Sequence, residues 1–117
     1  MFHGEGDWTG ANGDQYVGEF KEGERHGYGV FTWINGDKYD GNWLFGERHG
    51  QGKLQILDGD VFEGTWSKNH PHGQCDWIGK NGNKYTGSWD HGLKHGYGAY
   101  TWPNGNQYLG NYVNEKR

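Results

Sequence analysis

The chain is 117 residues long with 24 glycines, and its 11 basic and 15 acidic residues leave a formal net charge of −4. Leu, Ile, Val and Phe fill only 17 positions, about 15% where an ordinary core has at least roughly 20%. Low net charge and 7 Trp, 8 Tyr and 5 Phe nevertheless set the chain apart from a disordered one. Short apolar runs, one cysteine (Cys75), two prolines and a mildly acidic balance exclude a helical membrane span, a disulfide scaffold, collagen and the electrostatic footprint of a nucleic-acid binder.

In chain order, half a unit (1–15) comes first. Four full units follow at 16–38, 39–61, 62–84 and 85–107, then a broken one at 108–117, all within one domain. The period is 23 residues without insertion or deletion. Glycine recurs at Gly13, Gly36, Gly59, Gly82 and Gly105, and His-Gly at His3, His26, His49, His72 and His95. An aromatic recurs at Tyr16, Tyr39, Phe62, Tyr85 and Tyr108, and another four residues on at Phe20, Trp43, Trp66, Trp89 and Tyr112. Within a unit, residues 38–43 alternate with period two and predict a strand. Residues 46–50 predict a turn-rich loop, and 52–56 a second strand. An Asn-Gly or Asp-Gly turn follows, as at Asn35-Gly36 and Asp58-Gly59. Helix is disfavoured by the glycine density and by the lack of a 3.6-residue apolar stripe.

Parity selects the type of that turn. A two-residue turn at Asn35-Gly36 would throw Tyr39 onto the wrong face. A three-residue loop, a type I turn closed by a left-handed glycine, pairs Trp33 with Asp37, Phe31 with Tyr39 and Gly29 with Gly41. Pro103, at the first loop position of its unit, has a fixed φ that suits type I. The same register pairs Trp8 with Tyr16, Leu54 with Phe62, Trp77 with Tyr85 and Tyr100 with Tyr108. If the 44–49 loop keeps parity, Tyr39 also faces Leu54 and Gly41 faces Gly52. Trp43 is then expected beside Gly27 and Gly50, its ring flat over bare backbone. The expected fold is all-β: a single-layer, curved and twisted antiparallel sheet of stacked hairpins, about ten strands and roughly 45 Å long. One face carries a ladder of large rings beside a ladder of glycines, and the other is polar (Lys38, Asp40, Asn42, Lys53, Gln55). A ring face of that size exceeds what monomers normally leave open, which predicts a docking surface.

The segment Tyr39-Asp40-Gly41-Asn42-Trp43-Leu44-Phe45-Gly46-Glu47-Arg48-His49-Gly50-Gln51-Gly52, with its four in-register counterparts, resembles the MORN (membrane occupation and recognition nexus) repeat over essentially the whole chain. The resemblance implies a solenoid of β-hairpins acting as a non-enzymatic scaffold in the cytoplasm, often at cytoskeletal or ciliary structures or membrane junctions. It also implies protein partners along the groove, with phospholipid binding proposed for some members.

Unit 62–84 departs from the pattern. Asn69 replaces a turn glycine, Cys75 a ladder glycine, and Gly79 stands where Trp33 and Trp102 stand. The Cys75 thiol is expected to fill part of the gap left at Gly79. His70-Pro71-His72 with Cys75 offers zinc-compatible residue types, but His72 and Cys75 occupy repeat positions, so no metal and no cofactor is expected. Ser67 and Ser88 lie outside any nucleophile motif, and the Gly-x-Gly steps precede strands, so no catalytic residues are assigned. The repeat histidines are expected to order the hairpin loop by hydrogen bonding or ring packing.

The expected function is a non-enzymatic scaffold that binds a partner's segment or helix through Trp33, Tyr39, Trp43, Phe62, Trp66, Tyr85, Trp89, Trp102 and Tyr108. The alternative is a membrane-tethering module for anionic phospholipid or phosphoinositide. It would use Lys21, Arg25, Arg48, Lys68 and Lys94, against the net charge of −4. Open sheet edges also allow a homodimer, and no nucleic-acid partner is expected.

Overall fold

The computed structural model describes residues 4–113, so His3 and the charged tail 115–117 lie outside it. Ten antiparallel strands follow one another in chain order in one open sheet. They are β1 (Gly4–Thr9), β2 (Gln15–Lys21), β3 (Glu24–Thr32), β4 (Lys38–Leu44), β5 (Glu47–Gln55), β6 (Val61–Ser67), β7 (His70–Ile78), β8 (Lys84–Asp90), β9 (Leu93–Thr101) and β10 (Gln107–Tyr112). The molecule measures 50 × 24 × 17 Å, one strand layer thick with its side chains.

Two kinds of turn alternate. The β3–β4 connection is the expected three-residue loop: the Trp33 N–H donates to Asp37 O at 2.9 Å and the Gly36 N–H to Trp33 O at 2.9 Å. Gly36 sits at φ 101°, a conformation that costs glycine little and a side chain much. The other turns are shorter than expected. Between β4 and β5 only Phe45 and Gly46 are outside the strands, at φ 48° and 81°, as in a type I′ hairpin. Lys68-Asn69 makes the same turn at φ 50° and 71°, Asn69 standing in for the turn glycine because asparagine enters the left-handed region more easily than most residues.

The rungs form as the parity argument requires. Phe31 pairs with Tyr39, Tyr39 with Leu54, Leu54 with Phe62, Trp77 with Tyr85 and Tyr100 with Tyr108. The glycine ladder runs beside them, with Gly41 between Gly29 and Gly52. Trp43 departs from expectation on one side. It lies across from Gly27 on β3, but on β5 a bulge after the repeat histidine places it opposite Arg48 instead of Gly50. The indole does not lie flat over bare backbone; its Nε1–H donates to Gly29 O at 3.1 Å. The tyrosine takes the glycine space instead. A Cβ on Gly52 would fall 1.9 Å from Tyr39 Oη.

The rings supply their own core. Tyr39 meets Trp43 edge-on at 5.0 Å between centroids and Trp66 at 5.5 Å. Tyr16 and Tyr85 are wedged in the same way between the ring of their own strand and that of the next repeat, Phe20 and Trp43 for the one, Trp89 and Tyr112 for the other. Tyr16, Tyr39 and Tyr85 are completely buried although no second layer among the described residues covers them. Edge-to-face packing along the sheet thus performs the sealing that a second layer does in a sandwich. This corrects the expectation of a broad uncovered ring face, because much of that area is spent on ring–ring contact.

Unit 62–84 also reads differently in three dimensions. Gly79 is buried because the larger indole of Trp77 occupies its space; a Cβ there would fall 2.8 Å from Trp77 Cη2. Trp8 and Gly10 repeat the exchange, with a Cβ on Gly10 falling 2.6 Å from Trp8 Cη2. Where the rung residue is smaller, as at Phe31 or Tyr100, the second position carries Trp33 or Trp102. Cys75 therefore does not compensate for Gly79. It stands at the position of Gly52, whose Cβ the Tyr39 hydroxyl excludes, and it fits because its own ring neighbour, Phe62, has no hydroxyl.

Both rims of the sheet are stapled from repeat to repeat. On one, Asp14, Asp37 and Asp60 Oδ1 accept the N–H of Ile34, Leu57 and Lys80 at 2.8, 2.9 and 2.9 Å. On the other, the N–H groups of Gly46, Asn69 and Gly92 donate to the carbonyls of Arg25, Arg48 and Pro71 at 3.0, 3.1 and 2.9 Å.

Candidate functional site

The nine residues singled out as anchors all belong to the ring face, but they divide by burial. Tyr39, Trp43, Trp66, Tyr85 and Trp89 are buried and form a rigid floor. Trp33, Phe62, Trp102 and Tyr108 remain half-buried and keep surface to offer. Trp33 leans on Phe31 at 4.6 Å and Trp102 on Tyr100 at 4.7 Å, each in the last position before a loop. The floor is polar only underneath. Tyr39 Oη donates to Asn42 O at 3.1 Å, and the Nε1–H groups of Trp66 and Trp89 donate to the carbonyls of Gly52 and Cys75 at 3.0 and 2.8 Å. Burial pushes the Tyr16 hydroxyl up to about 12, and that of Tyr39 further in the same direction.

Across this floor runs a row of cations. The Arg25 guanidinium lies 4.7 Å from the Trp43 ring and 4.9 Å from Phe31. Arg48 lies 5.2 Å from Trp66 and 5.7 Å from Trp33. Lys94 Nζ is 5.6 Å from Trp89 and 5.7 Å from Tyr85. These are cation–π distances, and the 23-residue recurrence of Arg25, Arg48 and Lys94 was the readable signal for them. The three belong to the set offered for an anionic membrane, and the structure lays them on the rings. Desolvation lowers the guanidinium pKa of Arg25 and Arg48. One Nη of each donates to the next turn, Arg25 to Gly46 O at 2.9 Å and Arg48 to Asn69 O at 2.8 Å. Pro71 takes the cation's place in unit 62–84. Beside it opens a hollow of about 180 Å³ lined by Arg48, Leu54, Phe62, Trp66 and Pro71 among others.

The residues weighed for metal ligation separate. Cys75 is buried among Tyr85, Trp89 and Phe62, and desolvation holds its thiol up at about 12. His70 is exposed. His72 turns instead to the next hairpin, where Asp90 and His91 bring their ligand atoms within 4.8 Å of its own and of each other. Local spacing could not reveal this trio, because its members are 18 and 19 residues apart in the chain. Two of the repeat histidines pack on a turn, that of the following repeat: His26 on Phe45 at 5.6 Å and His72 on His91 at 5.2 Å.

No curated protein sequence matches the chain significantly. The family model of the MORN repeat matches residues 1–15, 16–38, 39–61, 62–84 and 85–107. That repeat is a non-enzymatic module that generally serves protein or membrane interaction. With 23-residue hairpin pairs stacked in register and the repeat matched five times over, the chain belongs to the MORN repeat family.

Proposed function

We propose that the chain is a non-enzymatic protein-interaction scaffold that takes a partner's extended segment or helix along its ring face. The observation that carries this reading is the row of Arg25, Arg48 and Lys94 held on the rings, flanked by the half-buried Trp33, Phe62, Trp102 and Tyr108. Positive charge over an apolar floor suits an acidic segment with interspersed apolar side chains. Two strands separate equivalent positions of neighbouring repeats, so the cations recur at about 10 Å steps, with one step left out at Pro71. Carboxylates three residues apart in an extended chain, or seven apart in a helix, match a step of about 10 Å. A cytoplasmic, cytoskeleton-associated place of action belongs to the same reading.

The test is affinity capture from the source cells, with wild type compared to a Trp33→Ala/Trp102→Ala variant that retains its melting temperature. Co-sedimentation with phosphoinositide vesicles at two salt concentrations runs in parallel. Bound protein that the variant loses supports the scaffold. Salt-sensitive sedimentation with anionic vesicles, without any such protein, overturns it in favour of membrane tethering.

A further inference from the structure

We propose that His72, Asp90 and His91 form a binding site for a divalent transition-metal ion, with zinc the best-matched. The three side chains converge from two neighbouring hairpins. Asp90 Oδ1 lies 2.6 Å from His91 Nδ1 and 3.5 Å from His72 Nδ1, and the two imidazoles stand 5.2 Å apart at 68°. Two imidazole nitrogens and one carboxylate oxygen make the three-ligand set that zinc accepts with water in its fourth position, and they are poorer in oxygen than calcium or magnesium requires.

The array accounts for His72 and for a ring at position 91, as in His26 on Phe45, but not for the donor set as a whole. Position 72 carries the repeat histidine, but Asp90 stands where other units have Lys21, Leu44 and Ser67, and His91 where they have Glu22, Phe45 and Lys68. No other histidine–carboxylate group of three occurs among the described residues. The trio is a departure confined to one joint of an otherwise regular chain.

The backbone already holds the donors in place. Asp90 ends β8, His91 opens the two-residue turn at φ 50°, and His72 sits on β7 just before the bulge glycine Gly73. The Gly92 N–H donates to Pro71 O at 2.9 Å, which ties the turn to the strand that carries His72. With metal–ligand bonds of about 2.0–2.1 Å, the edge of a tetrahedral site is about 3.3 Å. The His72–Asp90 separation of 3.5 Å is close to that edge, and the ion displaces the His91 N–H that His72 Nδ1 accepts at 3.3 Å. The Asp90–His91 pair must open from 2.6 Å by about 0.7 Å to reach the same edge. The imidazole of His91, 77% exposed, is free to make that rotation, and the partial exposure of all three side chains leaves an entry path. The ion inserts between the Asp90 and His91 side chains in place of their direct contact, and it clips β7 to the β8–β9 turn.

Isothermal titration of tag-free protein with zinc, with thermal melting alongside, tests this. One ion per chain and a raised melting temperature are expected, with affinity falling at least about tenfold in His91→Asn and in Asp90→Asn. Asn is chosen at position 91 because it tolerates the left-handed turn, so folding is kept. Cys75→Ser and His70→Ala should bind as wild type does. Zinc affinity unchanged in a folded His91→Asn protein, affinity lost with Cys75→Ser, or no binding at millimolar zinc overturns the proposal.

Discussion

Replacing Gly52 by alanine probes the contact on which the self-sealing sheet depends. The new methyl would fall 1.9 Å from Tyr39 Oη and 2.3 Å from Cζ, where ordinary contact begins at 3.4 Å. The ring has no room to withdraw, being fully buried and wedged between Trp43 and Trp66. Overpacking of this kind costs about 1–3 kcal/mol. Displacing the hydroxyl also breaks its bond to Asn42 O, which adds about 1 kcal/mol. A loss of about 2–4 kcal/mol is therefore expected, measured by denaturant unfolding followed by tryptophan fluorescence. A double-mutant cycle isolates the cause. Because the hydroxyl oxygen is the nearest atom, Tyr39→Phe should offset part of the Gly52→Ala defect, with a coupling of about 1 kcal/mol. The chain contains its own version of this double substitution in Phe62 and Cys75. A Gly52→Ala loss below about 0.5 kcal/mol, or strictly additive effects in the cycle, refutes the reasoning.

Two further predictions rest on the same core. The Cys75 thiol, buried and held up at about 12, should resist a thiolate-directed reagent in the folded protein at about pH 8 and react fully in denaturant; stoichiometric labelling of the native chain contradicts this. Tyr16 has a folded pKa of about 12 against the ordinary 10.0, and Tyr39 is shifted the same way. A raised folded value means that the unfolded chain gives up its proton first, so the stabilisation is complete below pH 10 and is lost as pH rises from there toward 12. The melting temperature should fall over that window, with the tyrosinate absorbance of the buried Tyr16 and Tyr39 appearing together with unfolding, and a flat profile refutes the assignment.

Most of the architecture was legible because its determinants are periodic. Side-chain alternation and the single observation of Pro103 at a type I position were enough to place Phe31 opposite Tyr39 and Gly29 opposite Gly41, while Gly41 opposite Gly52 rested on the 44–49 loop keeping parity. Features that depend on non-glycine residues adopting left-handed backbone were not legible, since nothing in Phe45 or Lys68 announces φ near 50°. The loop at 44–49 was therefore read too long, and the bulge that moves Trp43 from Gly50 to Arg48 was missed. Volume exchanges were legible only in part. The absence of a ring at Gly79 was visible, but that Trp77 fills the space, and that Cys75 answers to Phe62, requires knowing which ring leans over which glycine. The cations were visible as a recurrence, but their position on the rings was not. The His72–Asp90–His91 trio forms only when one hairpin is laid against the next.

The aspartate staples along one rim also have a mechanical meaning. Asp14, Asp37 and Asp60 each grip the loop of the following repeat, yet the series stops at the next joint, where Asn83 replaces the carboxylate, Pro103 has no N–H to offer, and Asn83 Nδ2 donates instead to Tyr100 Oη at 2.9 Å. Three joints are stitched along this hem by a carboxylate, and the fourth by an amide held to a ring hydroxyl. Bending is expected to concentrate at that joint, between the 80–82 and 103–105 loops, and faster amide exchange there than at the carboxylate-stitched loops is the measurement that checks it.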